Sequence, residues 1–309
     1  PKTKPLANII ALPDADQHPE QLVGLVPGIA PASQFARHLA ENGFQVLVPV
    51  IISRTLLFPG KTQQQTYREW IYRQAFHMGK HVIGYEVQKV LSAVDWFKQS
   101  SEKDLKIGIA GYNEGGLLAF YSAAADKRID VALVSGYFSS RQKVWDEPIY
   151  RNVWGLLSEF GDAEIASLIA PRPLIIEYST IPEIIEAVES ADKLGPVGGL
   201  PYTGYKGRLQ TPQFNSVKAE FTRIDELTRL GFQSRNLFTG PNNDAVLFGS
   251  APALEKFTQS LGRSSSLTIS TNVPQDKRKA FDPQARQLRQ MKELEDHAQW
   301  LLRDSDQKR

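Results

Sequence analysis

Lys106-Ile107-Gly108-Ile109-Ala110-Gly111-Tyr112-Asn113-Glu114-Gly115-Gly116, in the middle third of the chain, reads as strand, tight turn and helix in immediate succession. Residues 105–110 form an apolar run of strand length, and 115–125 has the composition of a helix packed on a sheet. Gly111, Gly115 and Gly116 let backbone pass close to backbone, since a residue without Cβ leaves room there. The side chain presented between them is Asn113, and asparagine tolerates left-handed backbone angles better than most residues.

Working outward, short apolar runs alternate with helical patterns from residue 5 to about residue 262, the signature of a mainly parallel sheet covered by helices. Strands are expected at 7–12, 45–51, 105–110, 131–135, 174–177 and 235–238. A helix is expected at 33–42, stopped by Gly43, a helical layer over 68–99, and further helices at 115–125 and 252–261. The glycines between 195 and 207 predict an extended loop without phosphate-loop spacing. Beyond Gly262 a Ser/Thr-rich stretch precedes a charged helix over about 283–303, so 1–262 is read as the α/β domain and 263–309 as linker and tail.

The 36 basic and 34 acidic residues leave a net charge of +2, which gives no general electrostatic reason to expect nucleic acid. No stretch approaches the roughly 20 apolar residues that span a bilayer. The absence of cysteine excludes disulfides, thiolate nucleophiles and Cys-ligated zinc, and leaves the compartment open. The chain begins at Pro1 without a methionine or a signal-peptide pattern, so the native start is expected to have been processed or cut away.

In the pattern G-x-S-x-G a serine nucleophile stands in just such a strand-to-helix turn, held outward at strained backbone angles. Here Asn113 takes that place; a tight βα turn with no catalytic past is the plainer alternative. With Arg68-Glu69-Trp70 ahead of a helical layer, Val94-Asp95-Trp96-Phe97 near its end and residues 106–111 leading into the turn, the chain resembles bacterial α/β-hydrolases related to acetyl xylan esterases and dienelactone hydrolases. The resemblance spans about 5–262. It implies an α/β-hydrolase-like fold, with a serine at position 113, an acid after the strand ending at Glu177 and a histidine after the strand ending near Thr239. The loop Gly240-Pro241-Asn242-Asn243-Asp244 has no histidine, so nucleophile and base are both missing from the expected places. The chain also resembles the N-terminal halves of larger bacterial proteins in which a second hydrolase-like domain follows, which implies that the helix after Pro283 connects two domains.

Other residues compete for a role. His18 and Asp14 lie in the loop after the first strand, where the resembled fold places one oxyanion donor; the N–H of Glu114 would be the other, with Tyr112 beside it. His18 is the candidate base of a rearranged site, against the plainer reading of a solvated loop histidine, and Glu177 the candidate acid. Arg68, Glu69 and Trp70 would line the cleft rim, or else anchor a loop. His77 and His81, four apart, would share a helix face and hold a metal only with further ligands, so no metal or cofactor is expected. Tyr112, Glu114, Asp162 and Glu177 as a carboxylate site, and Ser135, Ser139 or Ser140 as a displaced nucleophile, are weaker alternatives, none of the serines sitting in such a turn.

The leading expectation is therefore a hydrolase-fold domain without acyl-transfer chemistry, binding a small molecule or carbohydrate or packing on a partner domain. The alternatives are a carboxylic-ester hydrolase with a rearranged site, and a structural module that uses the charged tail helix for contact.

Overall fold

The computed structural model describes residues 4–57, 65–100, 104–185, 207–228, 231–269 and 274–307. The loop expected at 195–207 lies outside the described residues, Gly207 excepted. The chain runs β1 (Asn8–Leu12), α1 (Pro19–Leu22), α2 (Phe35–Glu41), β2 (Gln45–Leu47), α3 (Tyr67–His77), α4 (Val82–Gln99), β3 (Ile107–Tyr112) and α5 (Glu114–Ala125). It continues β4 (Val131–Ser135), α6 (Leu156–Glu159), α7 (Asp162–Ile169), β5 (Leu174–Glu177), β6 (Ile184–Ile185), β7 (Arg208–Leu209) and α8 (Phe214–Leu227). Last come β8 (Arg235–Phe238), α9 (Ala251–Ser260) and α10 (Pro283–Gln307). The six expected strands form one parallel sheet in the order β2-β1-β3-β4-β5-β8, and β6 and β7 pair as a small antiparallel ribbon.

Period-two alternation divides the core. Ile10, Leu12, Ile107, Ile109, Ala132, Val134, Leu174 and Ile176 face the layer built by α4, α5, α7 and α8. Ile9, Ala11, Ala110, Val131, Leu133 and Ile175 face the layer built by α2 and α9. Because both faces are covered, the central strands read as continuous apolar runs.

The chain leaves β1 toward β2 at the edge, then crosses back to place β3 on the other side of β1. That reversal opens a crevice beyond the C-terminal ends of β1 and β3, the place where open parallel sheets present their ligand sites. Leu12 is paired with Gly111, so the loop after β1 and the turn after β3 leave the sheet side by side.

Two expectations are corrected. The helical layer over 68–99 is two helices: Gly79, at φ 64°, follows the end of α3, and the His81 side chain caps α4 by accepting from the Ile83 N–H at 3.1 Å. His77 and His81 therefore do not share a helix face, and no group of metal-ligating side chains is present among the described residues. The second strand stops at Leu47 rather than residue 51, because side chains take over the backbone groups that follow: Lys89 Nζ donates to Val50 O at 2.6 Å, and the Ile52 N–H donates to Glu86 at 2.7 Å. The tail helix α10 lies back on the domain, with Met291 only 5% exposed inside the core cluster. No helix among the described residues is long and apolar enough to cross a membrane.

Candidate functional site

The turn between β3 and α5 is tight enough to require its glycines. A Cβ on Gly111 would stand 1.9 Å from Gly115 O, and one on Gly115 would stand 2.3 Å from Leu12 O. Asn113 sits at φ 51°, ψ −107°, a region that costs free energy for any residue with a side chain and clusters at functional turns. Its side chain is fully buried and bonded at both ends: Nδ2 donates to Asp14 Oδ2 at 3.2 Å, and Oδ1 accepts from Arg151 Nη2 at 2.5 Å.

Asp14, in the loop after β1, is 1% exposed, and four donors converge on its carboxylate. Oδ1 accepts the Ala15 N–H at 2.8 Å and the Glu114 N–H at 3.3 Å. Oδ2 accepts from Arg54 and from Asn113. One oxygen of an acid supplied by the chain is thus held between the first N–H of α5 and an N–H of the loop after β1.

Around this pair is a buried charge network. Glu114, fully buried, accepts from Arg151 Nε at 2.6 Å, Arg68 Nη2 at 3.2 Å and Arg54 Nη1 at 3.3 Å. Burial pushes its carboxyl up, but the guanidiniums of Arg151, Arg68 and Arg54 outweigh this and hold it at about 2. Arg68, also fully buried, pairs with Glu86 at 2.7 Å. Arg151 continues to Glu147 at 3.2 Å, and Glu147 to Arg141 at 2.7 Å. Arg141 reaches Asp162, whose carboxyl burial raises to about 6 against the lowering effect of Arg141.

The side chains of the other expected residues make no hydrogen bond to the Asn113 side chain, whose partners are Asp14 and Arg151. Glu177 ties β5 to the start of α9, accepting from Ser135 Oγ (2.6 Å), the Gly249 N–H (3.0 Å), and the Ser250 N–H and Oγ (2.8 and 2.6 Å). Burial outweighs these bonds and raises its pKa. Ser135 is spent on this contact and on Ser179 Oγ at 2.7 Å. Tyr112 donates to Thr180 O at 2.8 Å and stacks on Phe248. Glu69 pairs with Arg73 on its own helix at 2.8 Å, and Trp70 packs against the core. His18 precedes α1 with a buried Nδ1 that has no hydrogen-bond partner. Asn113 has no histidine among its hydrogen-bond partners in the described residues, and the loop after β8 closes on itself through the Gly240 N–H to Asp244 O at 2.8 Å.

Sequence reading missed Arg54, Glu86 and Arg151. Arg54 had a signal, standing just past an apolar run at the ligand-bearing end of a parallel sheet. Arg151, in an irregular segment 38 residues from Asn113, had none. It also lines a cavity of about 330 Å³ with Tyr137, Ser139, Arg141, Gln210, Gln213 and others.

Residues 20–149 match the model of the dienelactone hydrolase family. A stretch of 121 residues is 32% identical to the putative hydrolase YtaP of Bacillus subtilis (strain 168), covering 37% of this chain and 39% of that protein. This chain thus spans about two fifths of the length of that relative. Among solved structures, a putative acetyl xylan esterase from Bacteroides fragilis NCTC 9343 superposes with a TM-score of 0.47 at 17% identity, over 58% of this chain and 53% of that one. A glucuronoyl esterase from Caldicellulosiruptor kristjansonii gives 0.49 at 14% identity, over 91% and 74%. The chain thus has an α/β-hydrolase-like architecture, a parallel sheet with a strand-to-helix turn after β3, and over residues 20–149 it is similar to the dienelactone hydrolase family.

Proposed function

We propose that this chain is a hydrolase-fold domain with a degenerate catalytic site, acting as a ligand-binding or partner-domain module rather than as a serine acyl-transfer enzyme. The observation that carries this reading is the seating of Asp14. Its Oδ1 accepts from the Glu114 and Ala15 N–H groups, which in a working nucleophile elbow would receive the oxygen of a tetrahedral intermediate. A resident carboxylate there repels a second developing negative charge. The position of the attacking hydroxyl is held by a carboxamide that cannot form an acyl ester, and both its ends are already bonded.

What remains is the hollow beside Arg151, whose volume of about 330 Å³ suits a small polar molecule, carbohydrate included. The chain would retain this part of the cleft as a binding site while the reacting centre has become a structural ion network. The test is a rate assay with short-chain aryl acetates together with labelling by a serine-directed phosphonate. Hydrolysis no faster than buffer and no label are expected; a buffer-exceeding rate that co-purifies with the chain overturns the reading.

A carboxylic-ester hydrolase with a rearranged site is the rival, favoured by one observation: His18 has a buried, unbonded Nδ1 in the same loop as Asp14. If His18 activated water there, His18→Ala would abolish any measured turnover.

A further inference from the structure

The loop that carries Asp14 is held at its far end by the C-terminal segment. Glu20, in α1 and only 4% exposed, receives Arg278 Nη1 at 2.8 Å, Arg286 Nη1 at 3.0 Å and Arg286 Nη2 at 3.0 Å. Both guanidiniums lie over the Phe281 ring, at 3.9 and 4.7 Å from its centroid. One aromatic thus sets the spacing of two arginines on one carboxylate.

The same segment holds a second strand exit. Gln287 Nε2 donates to Ile51 O at 3.2 Å and Gln290 Nε2 to Val50 O at 3.4 Å. Two residues on from Ile52 is Arg54, whose guanidinium reaches Asp14, Asp16 and Glu114. The acid seated against the turn and the arginine that braces it are therefore carried on the two stretches of chain that α10 and its leading residues strap down.

We infer that residues 278–291 form a strap over the segment that runs from Asp14 to α1, and that lifting this strap is the first step in loosening that loop. The physical ground is an imbalance of anchorage. On the turn side, Asp14 is gripped by buried groups, whereas Arg278 and Arg286 keep 38% and 18% of their side chains exposed. Partly solvated contacts open at lower free energy than buried ones, so the strap is the weak end of that anchorage. This inference does not depend on whether the site is catalytic.

The experiment is amide hydrogen exchange on the full chain, comparing the wild type with Arg278→Ala/Arg286→Ala and with the milder Glu20→Gln. Exchange of amides in 14–22, with that of Glu114, should accelerate at least tenfold in the double variant and less in Glu20→Gln, while β3 and β4 keep their protection. Acceleration confined to 274–307, with 14–22 unchanged, overturns the strap and leaves α10 as an appended helix. If the double variant does not fold, Glu20→Gln decides alone, by the same comparison of 14–22 with β3. The aryl acetate assay on the same variants separates this proposal from the reading of a degenerate site, since a strap that opens without turnover supports both.

Discussion

The Glu114 N–H donates to Asp14 Oδ1 at 3.3 Å, joining two residues 100 positions apart at the mouths of neighbouring strands. Through this contact the first N–H of α5 is satisfied by a carboxylate from within the chain. Removing the carboxylate takes the acceptor from the Ala15 and Glu114 N–H groups and from Asn113 Nδ2, and leaves the buried Arg54 with only Asp16 and Glu114. Asp14→Ala is therefore expected to lower stability by about 3–5 kcal/mol, the usual cost of breaking a buried ion pair from one side. Urea unfolding measures it, and a loss below about 1 kcal/mol would show that water replaces the carboxylate cheaply.

Asn113 bridges the Asp14 carboxylate and the Arg151 guanidinium, which serine cannot do with one short hydroxyl. Asn113→Ser should fold less stably and hydrolyse aryl acetates no more than about threefold faster than the wild type, since among the described residues no histidine bonds to position 113 and the members of a triad act as a unit. A hundredfold gain would reveal a base within reach of position 113.

Gly115 passes beneath two carbonyls. A methyl there would come within 2.3 Å of Leu12 O and 2.4 Å of Pro13 O, both backbone atoms that cannot swing aside. Gly115→Ala is expected to cost about 1–3 kcal/mol through overpacking. Thermal unfolding that matches the wild type would contradict the close crossing of helix and strand.

Glu114 and Asp162 give the stability profile opposite slopes. The Glu114 carboxyl, held at about 2, contributes stability that is present above the ordinary value of 4.5 and is lost as the pH falls toward 2. The Asp162 carboxyl, raised to about 6, does the reverse: folding favours its neutral form, so its contribution grows as the pH falls from above 6 toward 3.8. Asp162→Asn should flatten the profile between pH 4 and 6 and leave the acid limb below 4 in place. Denaturant titrations at half-unit pH steps would detect either slope.

Much of the fold was legible because it rests on periodicity. The strands at 131–135 and 174–177 are apolar up to their last residues, Ser135 and Glu177, and keep their expected bounds, as does 235–238 despite Arg235 and Asn236. The second strand ends four residues before its expected bound: Val48 to Ile51 are as apolar as their predecessors, but Pro49 has no N–H to give a ladder, and Glu86, Lys89, Gln287 and Gln290, distant in sequence, take the backbone groups of residues 50–52. At the turn, glycines and an asparagine announced the positive φ that Asn113 adopts. Of the arginines around it, Arg68 was among the expected residues and Arg54 had a positional signal, whereas Arg151 had none. A buried ion pair is specified by two residues on different elements, and nothing in the sequence around Arg151 sets it apart from a surface arginine.

Arg151 belongs to two neighbourhoods at once. One guanidinium nitrogen grips the Asn113 carboxamide, another grips Glu114, and the same residue forms part of the wall of the hollow beside them. A guest that tugs on this residue would disturb the turn through one shared side chain, without any rearrangement of the sheet. The hollow and the turn would then report each other's state, so the Asn113 side-chain resonances in a nuclear magnetic resonance spectrum are a natural beacon for screening what the hollow accepts.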